Sequence, residues 1–502
     1  MIAGLIELGR LMAGNVTAEE TASVLQSERD LRPRRLLITC GLSLATALQA
    51  ADALIANVAL PKLEADLGSG IELGVWIITS YLCATAVVAP LTGRLRRRYG
   101  PRQLFFFAMG GFVTGSLLCA GATSGGAIIA FRILQGAGGG LLHPLAQAIL
   151  LDLYPKERHG RVMAIWGAAL MLGPILGPVI GGVITDLSSW RWVFVINLPL
   201  GVLASCCLLP LQTPDDGRQK DAIDPIGVFL LMIGVGALQL FLQRAPAHSW
   251  FRSPEIIVEA IVTVLSFALL GARVPYSGFT VFRPQIFNDV NFSTAAFYNF
   301  MNSALLFVTV VFIPLLAQGP LGLPATAAGA LIMPRAILLM VVMLSTGRLI
   351  GRIDDRILLA SGWVLSAAGL MILSTIEPDS RFLPIVLGSL VQSLGAGILY
   401  IPLATLAFSS LPPEVRTDAT GLYSLLRQLA YASGVALMAA ILQSKTLAHL
   451  DVIGAGTVLA RETAELNAYR DCFRAMSVVS LLIIPGIFLF RLPARRQPPL
   501  SA

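Results

Sequence analysis

The composition of the chain is that of a membrane protein. Of its 502 residues, 56% are hydrophobic and only 13% are charged, whereas soluble proteins carry about 25% charged residues. This balance excludes an ordinary soluble enzyme. The net charge of +7 could suit nucleic acid, but the basic residues cluster in short segments between apolar runs, where they are typical of membrane topology signals. Nucleic acid is therefore not an expected partner.

Apolar runs long enough to cross a bilayer core of about 30 Å recur from Leu36 to Phe490. They predict fourteen membrane-spanning helices, at residues 36–58, 74–94, 103–122, 127–150, 162–185, 192–210, 223–242, 255–272, 294–316, 326–346, 357–376, 383–409, 419–442 and 472–490. With both termini in the cytoplasm, 24 of the 36 Lys and Arg residues fall on the inner side and 8 on the outer side. Cytoplasmic loops carry the excess of basic residues in membrane proteins, so this orientation is the predicted one.

Neither a cleavable signal peptide nor a metal site is expected. The first apolar run begins at Leu36 and is too long for the core of a signal peptide, so residues 1–33 are predicted to form a cytoplasmic tail. The six cysteines fall within spans and show no metal-ligand spacing, which favours a packing role. We expect no metal and no cofactor.

The second half of the chain repeats the first. The stretch PLAQAILLDLYPKERHGRV at 144–162 aligns with PLATLAFSSLPPEVRTDAT at 402–420, an offset of 258 residues, and GRLRRRYG at 93–100 aligns with GRLIGRID at 347–354. Both repeats keep the same membrane orientation. Parallel repeats of six spans characterise one large class of secondary transporters, in which the substrate site lies between the halves.

Twelve spans account for the repeat and leave spans 7 and 8 as a pair between the halves. We therefore predict a cytoplasmic tail at 1–33, a six-helix bundle at 34–210, a linker with two extra spans at 211–273, a second six-helix bundle at 274–491 and a cytoplasmic tail at 492–502. The predicted fold class is all-α and membrane-integral.

Six motifs in chain order resemble those of one transporter family. They are ADALIANVALP at 51–61, FRILQGAGGG at 131–140, LGPILGPVIGG at 172–182, WRWVFVINLPLG at 190–201, LGLPATAAGALIMPR at 321–335 and GRLIGRIDDR at 347–356. They are similar to motifs of the fourteen-span drug:proton antiporters of the major facilitator superfamily, EmrB/QacA type, over nearly the whole chain. The resemblance implies the major facilitator fold with two extra central spans, location in a bacterial inner membrane, and export of hydrophobic or amphipathic small molecules in exchange for protons.

The resemblance also bears on partners and on alternative substrates. EmrB-type relatives pass substrate to a periplasmic adaptor and an outer-membrane channel, which are therefore candidate partners beside the bilayer, protons and substrate. Export of an endogenous lipid or a siderophore-like metabolite is the alternative, and nutrient import is disfavoured by the fifth-span motif. The chain has no Walker loop to bind ATP, which leaves the proton gradient as the energy source.

One motif points to an enzyme instead of a transporter. DDGRQKD at 215–221 has the spacing of a diphosphate-binding aspartate motif, as in membrane prenyltransferases. Such an enzyme needs a second acidic cluster to hold Mg²⁺, and IDDR at 353–356 is a poor candidate for it. The stretch also lies in a loop where solvated charges are expected, so the enzyme is the distant alternative.

The fifth span is rich in residues that disfavour helices. They are Gly173, Pro174, Gly177, Pro178, Gly181 and Gly182. Glycines at every fourth position share one helix face and let two membrane helices approach closely, while the prolines interrupt backbone hydrogen bonds and let the helix bend. In the resembling family this helix lies between the two halves, so we predict a tight seal that favours export over leak. Ordinary close packing is the alternative.

The loop after the second span resembles the family's gate motif, with a change of charge. Its candidate residues are Gly93, Arg97, Arg98 and Gly100, and Gly347 and Arg352 in the second half. Where the family usually carries an acid, this chain has Arg97 in the first half and Gly351 in the second. The sequence therefore does not predict an inner gate built on that acid.

Asp52 in the first span and Arg132 in the fourth span are the candidate proton-coupling pair. A charge at the centre of a membrane helix costs about 2.5–3.5 kcal/mol, so both side chains should face the bundle interior. They lie six and five residues from the outer ends of their spans, about 9 and 8 Å deep, and they meet if the spans are neighbours, as in the resembling fold. Burial and a nearby guanidinium act on a carboxyl in opposite directions, which would let the site bind and release a proton. A static ion pair is the alternative.

Four further polar residues within spans are candidates for substrate or gate contacts. They are Gln135, His143, Arg335 and Arg427. Pairing with backbone carbonyls is an equal alternative for the two arginines. A histidine that fills the helix kink at Pro144 is the alternative to a proton relay for His143.

The predicted orientation can be tested with a reporter. Residues 443–471 form the longest predicted outer loop, so alkaline phosphatase fused after Gln443 should be active. A fluorescent protein that matures only in the cytoplasm should stay dark at the same fusion point. The opposite pair of signals would contradict the fourteen-span topology.

Overall fold

The computed structural model of the chain is built from helices. It describes residues 18–67, 72–211, 224–245, 251, 253–273, 284–323, 325–377, 382–453 and 458–491. Its α-helices are α1 (Ala18–Leu67), α2 (Glu72–Val88), α3 (Thr92–Tyr99), α4 (Pro101–Ala120), α5 (Gly125–Leu153), α6 (His159–Leu187), α7 (Trp192–Val195), α8 (Asn197–Cys207), α9 (Pro225–Arg244), α10 (Pro254–Arg273), α11 (Val290–Gln318), α12 (Ala325–Leu349), α13 (Asp355–Leu373), α14 (Leu383–Ser409), α15 (Pro413–Ile453) and α16 (Val458–Leu482). Short 3₁₀ turns join several of them.

Within the part of the chain that the structure describes, eleven helical stretches are long and apolar enough to cross a membrane. α7 and α8 add a shorter apolar stretch, Trp192–Cys207, and α1 and α6 cover the first and fifth predicted spans. Each predicted span thus coincides with helical structure, which confirms an all-α membrane fold. The number of helices that cross the bilayer stays a prediction.

Two helices extend well beyond the predicted spans. α1 begins at Ala18, inside the segment predicted as a tail, and α15 runs to Ile453. Because α16 begins at Val458, most of the predicted outer loop at 443–471 is helical, and its location on the outer side stays a prediction. Hydropathy marks the width of the bilayer, whereas a helix satisfies its own backbone hydrogen bonds and can continue into water. The segments outside the described residues include 1–17, 212–223 with the DDGRQKD motif, and 492–502.

The helices form two bundles and one additional pair. In the first bundle α1 packs on α6, and α5 packs on α2 and α4. In the second bundle α14 packs on α12 and α13, and α15 packs on α11 and α16. The pair formed by α9 and α10 contacts the first bundle through α2. The segment limits at 34–210, 211–273 and 274–491 stay predictions.

Arg244 stabilises the helix pair formed by α9 and α10. Its guanidinium donates to Glu259 at 2.5 Å and to Glu255 at 2.6 Å, which joins the end of α9 to the start of α10. The guanidinium also lies 5.3 Å from the ring centroid of Trp76 on α2. This one side chain therefore connects the pair internally and holds it against the first bundle.

The glycine face of α6 packs against α1 within the first bundle. A Cβ atom on Gly173 would lie 2.6 Å from the backbone of Ala50, and one on Gly181 would lie 2.5 Å from the side chain of Ile55. Gly177 has more space, with 3.3 Å to the nearest backbone oxygen of α1. The close approach that the spacing predicts is present, and it is made to α1 within the first bundle. The helix itself lies between the halves as the resemblance implies, because α6 also packs on α12 of the second half.

α6 reaches the second half through its N-terminal turns instead. Gly160 lies against Ile350, Gly347 of α12 lies against Ala164, and Gly167 also faces α12. The four-residue spacing in a sequence defines a helix face, but the neighbour of that face depends on which helix presents small residues opposite it. The rest of the motif comprises Gly182, which is half-buried, and Pro174 and Pro178, whose side chains lie outside the described residues.

Replacing Gly173 with leucine should force α1 and α6 apart. Overpacking of a close contact costs about 1–3 kcal/mol, so we expect normal membrane insertion, a lower Tm in detergent and loss of coupled export. Gly177→Leu should have the smaller effect, because its position has more space. Gly110→Leu is the matched control, since nothing lies within 4 Å of the position of its Cβ. A wild-type Tm and normal transport in Gly173→Leu would contradict the close packing.

Candidate proton-coupling site and inner gate

Asp52 is the centre of a buried polar cluster. Arg132 Nη1 donates to Asp52 Oδ2 at 2.7 Å, Gln135 Nε2 donates to Oδ1 at 2.8 Å, and Asn197 Nδ2 donates to the same Oδ1 at 2.7 Å. Asp52 and Arg132 are both fully buried. The contact expected between the first and fourth spans is therefore present, and α1, α5 and α8 all contribute to the cluster.

Further hydrogen bonds hold the donors in place. Arg132 Nη1 also donates to Gln135 Oε1 at 2.8 Å, and its guanidinium lies 4.2 Å from the ring centroid of Tyr81. Asn197 Nδ2 also donates to Ser116 Oγ at 2.8 Å, and that hydroxyl donates to a backbone carbonyl of α7 at 2.8 Å. A buried ion pair is tolerated where additional hydrogen bonds satisfy its remaining groups, and these contacts supply them.

The groups that face Asp52 are all hydrogen-bond donors. An ionised carboxylate only accepts hydrogen bonds, and the groups that face it here are guanidinium and amide NH donors. Oδ1 accepts from two of these donors and Oδ2 accepts from Arg132 alone. The carboxylate therefore joins α1 to α5 and α8.

Sequence reasoning singled out Asp52, Arg132 and Gln135 but missed Asn197 and Ser116. Asn197 lies within the WRWVFVINLPLG motif, and its place in this motif is the sequence feature that could have marked it as a candidate. Polar side chains such as Asn and Ser commonly bond between membrane helices. Only the contact with the carboxylate distinguishes these two residues from ordinary packing residues.

A second ion pair lies beyond this cluster, at the end of α1 that is predicted to face outward. Asp66 Oδ2 accepts from Arg191 Nη1 at 2.6 Å and from Trp190 Nε1 at 3.0 Å, which ties the last turn of α1 to the segment before α7. The hydrogen bonds from Arg191 and Trp190 hold the pKa of the Asp66 carboxyl below its usual value. Because the pair is substantially exposed, water screens it and its contribution to stability is small.

Ion pairs join the two halves at the side that is predicted to be cytoplasmic, here called the inner side. Arg97 Nη1 donates to Asp418 Oδ2 at 2.5 Å. Arg96 donates to Asp152 at 2.6 Å and to a threonine hydroxyl of α15 at 2.5 Å. Arg416 Nη1 donates to the other oxygen of Asp152 at 2.9 Å. These five charged residues form what we call the inner gate.

The inner gate reverses the charge of the family's loop motif. Arg97, at the position where the family usually has an acid, supplies a cation, and the second half supplies Asp418 as the acid. Gly93 lies directly against Asp418, because a Cβ there would overlap the carboxylate. Gly100 has a φ of 80°, in the left-handed region that favours glycine, and turns the chain after α3. Arg98 is exposed and lies over the ring of the adjacent tyrosine, apart from these ion pairs, and its place in the gate stays a prediction.

The second-half loop contributes packing to the contact between the halves. Gly347 lies against Ala164, as a small residue at a close contact, whereas Arg352 is exposed. Sequence reasoning missed Asp152 and Asp418, because charges in short loops are usually solvated. The repeat held a partial signal, since it aligns 144–162 with the second-half segment that carries Asp418.

The remaining candidates occupy different places. Arg335 lies inside the second bundle, where it donates to side-chain oxygens of α11 and α14 at 2.8–3.1 Å, including Gln392 Oε1. Arg427 contacts the Tyr400 hydroxyl at 3.3 Å and His143 of the first half. Side-chain partners therefore take the place of the backbone carbonyls that were the alternative for both arginines.

Comparison with known proteins identifies the family. The profile of the Major Facilitator Superfamily matches residues 42–435. The chain belongs to the Major Facilitator Superfamily. The multidrug export protein EmrB of Haemophilus influenzae is 36% identical to it over 406 residues, which cover 80% of this chain and 79% of EmrB. The fatty acid resistance protein FarB of Neisseria gonorrhoeae is 31% identical over 418 residues, which cover 82% of each chain.

A solved structure supports the same fold. The crystal structure of the human organic anion transporter MFSD10 (TETRAN) superimposes with a TM-score of 0.62 at 18% identity, over 91% of this chain and 99% of MFSD10. At that identity the likeness shows the fold alone. Together with the EmrB relatives, the family match confirms the EmrB-type resemblance and a transporter in place of the prenyltransferase-type enzyme.

Removing the Arg97 guanidinium should loosen the inner gate. A hydrogen bond to a charged group contributes about 1.5–3 kcal/mol, and partial exposure of Arg97 reduces this value. We expect Arg97→Ala to shift the halves toward an open inner side by about 1 kcal/mol, or about fivefold in population.

The measurement is the rate at which a maleimide labels Ser424→Cys, a buried position, in inside-out vesicles and in a background without the six native cysteines. Arg98→Ala is the matched control, because this neighbouring arginine is exposed. Equal labelling rates in Arg97→Ala and Arg98→Ala would exclude Arg97 from the gate.

Proposed function

We propose that the chain exports hydrophobic or amphipathic small molecules in exchange for protons, by alternating access between two six-helix halves. The observation that carries the proposal is the buried contact between Asp52 and Arg132, which places a titratable carboxylate where three helices meet. Relatives named as multidrug export proteins, at 33–36% identity, support the substrate class. One charge that crosses 100 mV supplies about 2.3 kcal/mol, which makes the proton gradient a sufficient source of energy.

In the proposed cycle, Asp52 binds a proton from the outer side. Loss of its charge weakens the attraction to Arg132 and releases the donors, so that α1 can move relative to α5 and α8. The glycine face joins α1 to α6, and the N-terminal turns of α6 contact α12 on the inner side. Movement of α1 is therefore transmitted to the contact between the halves and favours opening of the inner side. Substrate binding and proton release to the cytoplasm return the protein to its outward-facing state.

The observed conformation fits one stage of this cycle. The inner gate is closed by the pair of Arg97 and Asp418, and Asp52 accepts hydrogen bonds from Arg132, Gln135 and Asn197. This combination is expected just before a proton is taken up from the outer side.

Export of an endogenous lipid or a siderophore-like metabolite is the second candidate function. It is supported by the similarity to FarB, which is named for fatty acid resistance. The buried cations Arg335 and Arg427 of the second half would suit an anionic head group better than a cationic drug. A transport screen in inverted vesicles that compares cationic dyes with fatty acids distinguishes the two candidates.

We further propose that the protein works in a bacterial inner membrane with a periplasmic adaptor and an outer-membrane channel. The helical hairpin of α15 and α16 would be the docking element, because Leu447, Val452 and Leu459 are exposed there beyond the predicted ends of their spans. A photocrosslinker at position 447 in native membranes should capture the adaptor. Full export by the permease with no captured partner would contradict the assembly.

Asp52→Asn should abolish proton-driven export. The amide mimics the protonated carboxyl, so the variant should still bind substrate and permit downhill exchange but should not accumulate substrate against a gradient. Proton flux and substrate flux are to be measured together in proteoliposomes.

Asp66→Asn is the matched control for this experiment. Asp66 lies on the same helix and also pairs with an arginine, but it is substantially exposed, so its loss should leave coupling intact. Undiminished uphill export in Asp52→Asn, with a normal proton-to-substrate ratio, would refute the assignment of Asp52.

A further inference from the structure

A histidine and an arginine meet inside the contact between the two halves. His143 Nε2 of α5 lies 2.5 Å from Arg427 Nη2 of α15, and both residues are buried. Arg427 is also held by the Tyr400 hydroxyl and by Ser424 Oγ, each at 3.3 Å. The imidazole packs on the ring of Trp166, with 4.6 Å between centroids. Tyr400 and Ser424 thus hold Arg427 in place, and Trp166 holds His143 in place.

This contact requires a neutral histidine. A guanidinium has only donors, so the imidazole nitrogen that faces Arg427 must accept a hydrogen bond and cannot carry a proton. A protonated imidazole would present a donor and a positive charge to another positive charge at the same distance. Like charges repel strongly where water is excluded, so protonation of His143 and the observed contact exclude each other.

Arg427 is the only charged side chain that contacts His143 among the described residues. Along α5, the nearest charges are Arg132, about 16 Å toward the outer end, and Asp152, about 14 Å toward the inner end. The other helices that pack on α5 direct their titratable groups elsewhere or carry them in their terminal turns: Asp52 and Tyr81 lie at Arg132, Arg96 lies at Asp152, and Arg102, His159 and Arg161 lie in the first turns of α4 and α6. Nearby titratable hydroxyls belong to Tyr400, Tyr431 and Tyr423, which surround Arg427. Asp418 of α15, two residues before Thr420, is paired with Arg97. No hydrogen bond or ion pair joins His143 to a carboxylate among the described residues.

The repeat shows that the fold does not need a histidine at this position. His143 precedes Pro144, and Ile401 precedes Pro402 at the aligned position of the second half. Ile401 is fully buried. The same helix position is thus filled by an apolar side chain in one half and by a titratable one in the other, which argues against a purely structural role.

We propose that His143 is a second proton-binding site, which separates α5 from α15 when it is protonated and so opens the inner side. The proposal rests on the proposed proton-driven export and adds a site to it. The carbonyl of the next residue, Pro144, accepts a hydrogen bond from Thr420 Oγ1 of α15 at 3.1 Å. Repulsion at His143 therefore acts next to a direct hydrogen bond between α5 and α15. Low pH favours the open inner side, and loss of the proton to the cytoplasm restores the contact with Arg427.

The number of protons linked to opening tests the proposal. Spin labels at Glu157 and Glu414, exposed positions on the inner ends of the two halves, report the open and closed populations between pH 5 and pH 8 in lipid nanodiscs. If opening binds protons, log(open/closed) falls as pH rises, and the magnitude of this change per pH unit, here called the slope, equals the number of protons bound on opening. His143→Gln keeps an oxygen that can accept from Arg427 but cannot be protonated near neutral pH. We expect it to remain able to close and to lower the slope by about one proton.

His159→Gln is the matched control. His159 is also buried and lies on the inner side, but its ring contacts the backbone carbonyl of Tyr154 at 2.9 Å instead of a guanidinium of the other half. It should keep the wild-type slope. Asp52→Asn should lower the slope independently, and the double variant with His143→Gln should lower it by both amounts.

The outcomes separate the two assignments. An unchanged slope in His143→Gln overturns the second site, whereas an unchanged slope in Asp52→Asn counts against the coupling site of the proposed function. A His143→Gln protein that is open at every pH would show that the contact is structural, and it would also overturn the proposal.

Discussion

The cost of burying a charge inside a membrane protein governs the arrangement of these helices. Each buried ion lowers this cost by meeting partners from other helices. Asp52 of α1 accepts hydrogen bonds from side chains of α5 and α8. Arg335 donates hydrogen bonds to side-chain oxygens of α11 and α14 inside the second bundle. The polar clusters therefore fix which helices are neighbours, and the apolar surface fills the space around them.

The proposed proton coupling rests on the same constraint. In that proposal, the hydrogen bonds of a cluster suit one charge state better than the other, so a proton changes which helix arrangement is most stable. α6 is placed to transmit such a change. It is in glycine-mediated contact with α1 at one level and with α12 at another, and close backbone contacts leave little space for independent movement.

Ion pairs between the two halves hold the inner side together. In this chain the loop after α2 carries arginines and the opposite half carries Asp418, which reverses the charge of the family motif at that position. An ion pair forms whichever half carries the cation and whichever half carries the anion. The charges of the family motif can therefore be exchanged between the halves while the contact is kept. Arg97, which stands where the family usually has an acid, is thus paired with Asp418, 321 residues away in the chain.

Local patterns in the sequence suffice for the fold class, the approximate helices and one pair of site residues. Hydropathy over about twenty residues depends only on the local chain and on the bilayer thickness. The cost of a buried charge marks Asp52 and Arg132 as side chains that must face the bundle interior and find partners there. The repeat and the motifs then predict the family and the neighbouring spans.

Which helix faces meet is a property of the tertiary structure. The glycine spacing of α6 predicts a close contact but cannot say that α1 is the partner, because small residues permit approach by any helix with a matching surface. The roles of Asn197, Asp418 and His143 likewise depend on residues more than 100 positions away in the chain. Such contacts arise from the packing of separate helices, and no pattern within one helix records them.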